Sequence, residues 1–169
     1  MRHSAFENKL FRFANSILGD DDLAKDVVQE TMLKAWEKRM EFGRIQNIEA
    51  WCMTLTRNFA LDKFRSKHHS TRGLEHQLDQ PLDEASPYQL MEMGNTIAAI
   101  DAIVASLPAK QRASFMLRDV EGYSYKEISE MTGNSTSDVK VNIFRARQTI
   151  RTKLLKLNSY GLEKSSNAP

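Results

Sequence analysis

The spacing of apolar residues constrains the fold most, because they recur every three to four positions along most of the chain. This spacing places them on one face of an α-helix, and the strict alternation typical of a half-buried strand does not occur. The 169 residues include 7 Gly and 4 Pro, too few for the many turns of an all-β domain. The pattern predicts an all-α protein.

The first half of the sequence predicts three helices. Asn47 is expected to be the N-cap of the third, and residues 41–46 form a short connection before it. Trp36 is placed on the inward face of the second helix, and Cys52 on the buried face of the third. The apolar stripes that define these helices cover residues 6–18, 23–36 and 48–64.

The second half predicts four helices, the last two preceded by N-terminal capping signals. Ser124 and Glu127 form a capping box ahead of a short helix that Gly133 closes. Ser135 and Asp138 form a second, weaker box ahead of a longer basic helix. A short helix, a tight turn and a longer helix predict a helix-turn-helix.

The net charge of +2 is unevenly distributed along the chain. Residues 1–72 carry +3, residues 73–95 carry −5 and residues 96–169 carry +4. The acidic segment also holds Pro and Gly, so it is interpreted as a flexible linker, long enough to let two domains sit far apart. The predicted organisation is two small helical domains, residues 1–72 and 96–158, joined by the linker 73–95 and followed by a disordered tail, 159–169.

The last helix carries the residues that point to DNA. Between positions 136 and 156 it has six cations and a single acid, and a helix of this kind fits the major groove. Arg145 and Arg147 are expected to pair with phosphates. A solvated basic face is the alternative, and DNA binding is favoured over it because capping, turn and charge agree. The candidates for contact with base edges are Ser137, Lys140, Val141 and Asn142.

Two sets of motifs stand out, one in each half of the chain. The set in the second half comprises Leu107–Arg112, Glu121–Ile128 and Phe144–Arg147. The set in the first half comprises Asp26–Thr31 with Lys34, Ala35 and Trp36, and Trp51–Asn58 with Ala60. The second-half set resembles region 4, and the first-half set region 2, of the extracytoplasmic-function (ECF) sigma factors. The resemblance covers both domains in the family's order. It implies a region 2 three-helix domain, a region 4 helix-turn-helix domain and a role in transcription initiation.

By this resemblance, the second helix binds the clamp coiled coil of the largest subunit of core RNA polymerase, and region 4 binds the flap region of the polymerase. The polymerase-binding candidates are Asp26, Gln29, Glu30, Met32 and Leu33. Without the resemblance, Asp26 and Glu30 would be interpreted as solvated carboxylates. The linker is expected to thread through the polymerase. Family members are often held inactive by an anti-sigma protein, and no residue of this sequence identifies one.

Region 2 would recognise and melt the −10 promoter element, and region 4 would bind the −35 element. Phe144 joins the residues of the last helix as a candidate for −35 DNA binding. Melting needs a pocket for an unstacked base and cations for the exposed strand. Trp51 and Phe59 are assigned to the core instead, whereas a core role and a stacking role stay open for Phe42. The −10 candidates are Lys34, Lys38, Phe42, Arg44, Leu55, Asn58, Lys63, Arg65 and Lys67.

The recognition helix departs from the family pattern at two positions. Val141 stands where the family often has Ser, which removes a hydrogen-bonding group. The Asp138 carboxylate could accept a hydrogen bond from a cytosine amino group or cap the helix, and the capping role is favoured. The −35 sequence read by this chain therefore cannot be copied from relatives.

Other classes of function receive little support from the sequence. There is no phosphate-binding glycine loop or nucleophile elbow, so we expect no enzyme and no cofactor. His68 and His69 lack a third ligand at metal spacing and Cys52 is the single cysteine, so we expect no metal. No uncharged run exceeds eight residues, so we do not expect the chain to insert into a membrane. We expect a cytoplasmic protein. The rivals that remain are a helix-turn-helix regulator acting without polymerase and a helical adaptor whose basic faces are only solvated.

Overall fold

The computed structural model describes residues 4–68 and 96–166, and within these ranges it is helical without a strand. A 3-10 turn, Arg39–Arg44, follows the second helix, and a π turn, Met116–Val120, extends the fifth. The all-α prediction is confirmed; the linker, residues 73–95, lies outside the described residues. The α-helices are α1 (Ala5–Leu18), α2 (Asp21–Glu37), α3 (Ile48–His68), α4 (Thr96–Ala105), α5 (Ala109–Phe115), α6 (Tyr125–Thr132) and α7 (Thr136–Ser166).

The helix ends follow local capping chemistry. The side chain of Asn47 accepts a hydrogen bond from the Ala50 amide at 2.9 Å, which confirms it as the cap of α3. Asp20 caps α2 by accepting from the Leu23 amide at 3.1 Å. Gly19 ends α1 with φ 61°, in the left-handed conformation that glycine adopts at low cost.

Helix α7 is longer than expected, since its backbone stays helical to Ser166 where a tail was predicted from residue 159. Its turns at residues 150–157 pack against α4, and after them the sequence has no proline before position 169 to end the helix. Packing of this kind stabilises a helix beyond its intrinsic propensity. The residues that contact α4 are Ile150, Leu154 and Leu157.

One hydrophobic core continues from the first domain into the second. Buried side chains of α1 and α3, such as Phe13 and Met53, belong to the same cluster as Leu117 and Ile128 of the second domain. The linker's length suggested domains that could sit far apart, whereas in this structure they are in direct contact. The two sets of helices therefore share the free energy of burial at their boundary.

Arg112 ties the two domains together from inside this boundary. Its side chain is buried, and burial lowers its pKa to about 10, so it remains a cation at neutral pH. The guanidinium donates to the Ser16 carbonyl at 2.6 Å, to Ala105 at 2.5 Å and to Leu107 at 3.2 Å. Carbonyl oxygens near the ends of α1 and α4 thus replace the water that this cation loses.

Polar pairs complete the contact between the domains. Arg12 of α1 donates to the nearly buried carboxylate of Glu121 at 2.6 Å. The Tyr123 hydroxyl donates to Glu49, which also pairs with Lys9 at 3.0 Å. The bond from Tyr123 and the charge of Lys9 lower the pKa of Glu49, while burial and Glu49 raise the pKa of Tyr123.

The placement of Trp36 is a correction to the sequence analysis. Its side chain is 65% exposed instead of facing the core, and the Arg39 guanidinium lies 4.2 Å from its ring centroid. Ala35 and Thr31 take the inward positions of α2, and Trp36 sits just beyond that face. Among the described helices, none combines the length and the apolar character that a bilayer span requires.

Candidate nucleic-acid interface

The helix-turn-helix is formed by α6, the turn at Gly133 and α7. Ser124 and Glu127 make both reciprocal capping bonds at the start of α6, and Gly133 ends it with φ 70°. Ser135 accepts from the Asp138 amide at 3.1 Å and donates to the Asp138 carboxylate at 2.6 Å. Ser135 therefore caps α7, and the Asp138 carboxylate is held on the Ser135 hydroxyl group at the start of the helix.

Helix α7 has one buried and one exposed face at its N-terminal half. Val139, Ile143 and Ala146 point into the core, as predicted. Phe144 is 62% exposed, so a large apolar ring lies on the solvent side among the cations. Such a mixed surface suits base edges and thymine methyl groups. Asn142 is half-buried, and the exposed −35 candidates are Ser137, Lys140, Val141, Phe144, Arg145 and Arg147.

Arg147 has a partner inside the chain. It donates two hydrogen bonds to Asp119 on the π turn, at 3.0 Å and 2.6 Å, and this pair raises the pKa of Arg147. Tyr125 lies beside it, with Arg118 at 4.8 Å and Lys140 at 5.7 Å from the ring centroid. Sequence reasoning missed Asp119 and Tyr125, because a pair 28 positions apart leaves no periodic signal.

The −10 cations on α2 and nearby are mostly held in ion pairs on the surface of the chain. Three of these pairs join residues three positions apart, and such exposed pairs contribute little stability, so a nucleic acid can displace them. Arg44 is exposed on the 3-10 turn. The pairs are Lys34–Glu37 at 3.0 Å, Lys38–Glu41 at 2.8 Å and Arg65–Asp62 at 3.3 Å.

One ion pair joins two predicted surfaces. Lys63, a −10 candidate on α3, lies 2.7 Å from Glu30, a polymerase-binding candidate on α2, and Glu30 raises the pKa of Lys63. At the far end of α3, Lys67 pairs with Asp20 at 2.9 Å and lowers the pKa of that carboxyl group. Binding at either surface therefore changes the partners available at the other.

The residues predicted to form the melting pocket lie on the 3-10 turn and on α3. Phe42 packs edge-on against Trp51 with ring centroids 6.1 Å apart and belongs to the rim of the core. Trp51 and Phe59 are also partly buried against that core, as predicted. Leu55 and Asn58 lie three positions apart on α3, and Asn58 is exposed while accepting from Arg57 at 3.3 Å.

The polymerase-binding candidates lie on a partly apolar surface. Asp26, Gln29 and Leu33 are exposed, and Glu30 and Met32 are half-buried. A groove of about 510 Å³ beside them runs between α1 and α2, with Phe11, Val28 and Met32 among its lining. The sequence analysis did not single out Met40, which is 87% exposed, or the exposed side chain of Trp36. Contiguous exposed apolar patches are typical of binding surfaces.

Family models and individual relatives agree with both halves of this description. Residues 3–70 match the model for sigma-70 region 2, and residues 97–150 match that for sigma-70 region 4. The ECF RNA polymerase sigma factor SigL of Mycobacterium tuberculosis is 30% identical over 150 residues, which are 88% of this chain and 84% of SigL. The factor SigE of Mycolicibacterium smegmatis is 30% identical over 159 residues, and the chain spans 60% of its length.

A solved structure shares the architecture. The sigma factor RpoE from Bartonella quintana, in its co-crystal with the anti-sigma factor NepR, matches with a TM-score of 0.62 and 27% identity. The match covers 88% of this chain and 91% of RpoE. Together with the family models and SigL, it shows that the chain belongs to the ECF sigma factors of the sigma-70 family.

Proposed function

We propose that this chain binds core RNA polymerase, directs it to promoters and assists the opening of promoter DNA. The observation that carries the proposal is that one chain holds two different surfaces. One is the apolar and acidic surface of α2, and the other is the basic, partly apolar face of α7. A regulator that binds DNA alone needs only the second.

The α2 surface is proposed to bind the clamp coiled coil of the polymerase. Leu33 and Met32 supply apolar contact, and exposed Asp26 and Gln29 supply polar partners beside them. A helix docks on another helix through such a mixed stripe. Trp36 and Met40 extend the contact area beyond the residues chosen from the sequence.

The α7 surface is proposed to read the −35 element. Lys140, Val141 and Asn142 are placed to contact base edges, and Arg145 and Arg147 to contact phosphates. Arg147 must leave Asp119 to do so. In region 2, the basic end of α3 is proposed to follow phosphates, while Asn58, Leu55 and Phe42 receive an unstacked base.

This function requires the two domains to separate. By their names, the −10 and −35 elements lie about 25 base pairs apart, which is ~85 Å along B-DNA. The domains contact each other directly in this structure, through Arg12 and Glu121 among others. Residues 69–95 have a contour length of ~90 Å, enough to connect domains at that separation.

We also infer that the chain acts in the cytoplasm and catalyses no reaction itself, since the polymerase catalyses RNA synthesis. An anti-sigma partner is proposed by analogy with RpoE, which was crystallised with NepR. Such a partner would have to cover the α2 or the α7 surface to silence the factor.

The experiment compares footprints on promoter DNA by the chain alone, by core polymerase alone and by the two together. We expect a promoter-specific footprint only with both present. Protection of a specific site by the chain alone indicates the rival regulator, and binding to polymerase without any footprint indicates the helical adaptor. Leu33→Asp should abolish the joint footprint, whereas exposed Leu155→Asp on α7 is the matched control.

A further inference from the structure

Tyr125 lies at the start of α6, next to the −35 surface but outside the set of residues assigned to it. It directly follows Ser124, whose capping box with Glu127 fixes the backbone at this point. Its ring is half-buried and packs against the hydrophobic core that both domains share. The backbone and the core therefore fix the position of the ring.

The exposed side chain of Lys140, a candidate for contact with base edges, lies over this ring. Its Nζ atom is 5.7 Å from the ring centroid of Tyr125, within the roughly 6 Å at which an aromatic face attracts a cation. Among the described residues, no carboxylate pairs with Lys140. The aromatic ring is thus a contact by which the fold restrains this ammonium group before DNA binds.

Two arginines lie close to the same ring. The guanidinium carbon of Arg118 is 4.8 Å from the ring centroid, and Arg118 Nη1 donates to the Tyr123 carbonyl at 2.8 Å. The Tyr125 hydroxyl group helps to raise the pKa of Arg147, after the larger effect of Asp119. Tyr125 therefore lies among cations of the DNA-binding domain, in a position that is set by the fold.

A lysine side chain must be ordered before it can read a base. Its four-carbon stem has many rotamers, and fixing them costs free energy when DNA binds. An aromatic ring that holds the stem in the free chain removes part of that cost in advance. A cation–π contact needs no acceptor atom, so the N–H donors of the ammonium group remain available. Lysine donates to the O6 and N7 atoms of guanine in the major groove.

We propose that Tyr125 is a positioning residue for −35 recognition, which holds Lys140 over its ring so that the ammonium group donates to a guanine. The inference rests on the proposed function, because it assigns a residue that prepares one base contact of the −35 surface. The ring of Tyr125, and not its hydroxyl group, then sets how strongly the chain prefers guanine at one position of the element.

Selection of −35 sequences from a promoter library, by the full chain with core polymerase, measures that preference. Tyr125→Met and Tyr125→Leu remove the ring and keep an apolar side chain on the core. Each should lower the guanine preference about two- to fivefold, which corresponds to an exposed cation–π contact. Tyr125→Phe keeps the ring and should retain the preference of the parent. Phe59→Leu, which removes a partly buried ring from α3, is the matched control for lost packing and should also retain it.

A background of Lys140→Ala shows whether the ring acts through Lys140. Lys140→Ala should abolish the guanine preference, and Tyr125→Met should then cause no further loss at that position. A further loss would mean that the ring itself contacts DNA, which overturns the positioning role. A parent-like preference in both Tyr125→Met and Tyr125→Leu, or an equal loss in Tyr125→Phe, overturns it as well.

The position of Lys140 is tested separately by NMR of the full chain without polymerase or DNA. The ring current of Tyr125 should shift the Lys140 Hε protons upfield in the parent and in Tyr125→Phe, and the shift should be absent in Tyr125→Met. A parent spectrum without this shift overturns the inference. A parent chain that selects no promoter refutes the proposed function, and the role in recognition with it, but leaves the spectrum unchanged, so the two failures are distinguishable.

Discussion

Replacing Asp119 by Asn should strengthen binding to −35 DNA, because it releases Arg147 for a phosphate. In the free chain, two hydrogen bonds of 3.0 Å and 2.6 Å hold the Arg147 guanidinium on Asp119. Asp119 is 26% exposed and Arg147 is 51% exposed, so solvent screens the pair in part. Exposed pairs contribute about 0.2–1 kcal/mol, and the bidentate geometry places this one near ~1 kcal/mol.

That free energy is what DNA must overcome to recruit Arg147. Asp119→Asn should therefore tighten binding about fivefold, equally for all upstream sequences, since phosphate contacts do not read sequence. The melting temperature should fall by about 2–4 °C, because the folded chain loses the same pair. The assay is fluorescence anisotropy of the full chain with a labelled duplex at several salt concentrations.

Two comparisons separate this effect from the change of net charge. Asp101→Asn removes an exposed carboxylate from α4 and measures the effect of net charge alone. In a background of Arg147→Ala, Asp119→Asn should gain no more than Asp101→Asn does. An equal gain with and without Arg147, or weaker binding by Asp119→Asn, refutes the competition between Asp119 and phosphate.

Three further predictions follow from the described contacts. Lys140→Ala and Asn142→Ala should change the preference among −35 sequences by up to about tenfold, as measured by selection from a promoter library. Unchanged preferences would show that neither residue contacts bases. Asn58→Ala should slow DNA opening more than initial binding in permanganate footprinting, and an equal loss of both contradicts the pocket. Tyr123→Phe should reduce stability to urea at pH 7, and the difference should shrink below about pH 4.3, the ordinary pKa of glutamate. The sign follows from the lowered pKa of Glu49. The bond from Tyr123 stabilises the fold while the Glu49 carboxylate is ionised, and that stabilisation is lost as the carboxylate is protonated. A stability difference that stays constant with pH rules out this linkage.

The helices and their ends could be predicted because their signals are local. Asn47, Ser124 and Gly133 act on backbone groups a few residues away, so spacing alone identifies them. The inward face of α7 was predicted for the same reason, since periodicity places Val139 and Ile143 together. These elements also position the predicted −35 surface.

Contacts between distant parts of the chain could not be predicted. Arg112 and Ser16 are 96 positions apart, and Arg147 and Asp119 are 28 apart, so no pattern links them. Trp36 was misplaced because apolar periodicity cannot tell a core position from an exposed binding surface next to it. The helical backbone of α7 beyond residue 158 could not be predicted, because the residues there show no apolar periodicity.

The central claim is tested most directly by transcription in vitro with core RNA polymerase and a library of promoters. The account predicts starts at defined positions that require both the chain and the polymerase. Leu33→Asp should remove these starts by breaking polymerase binding, and Arg145→Ala should weaken them across all promoters by removing a phosphate contact. Initiation no different from that of core polymerase alone would contradict the claim.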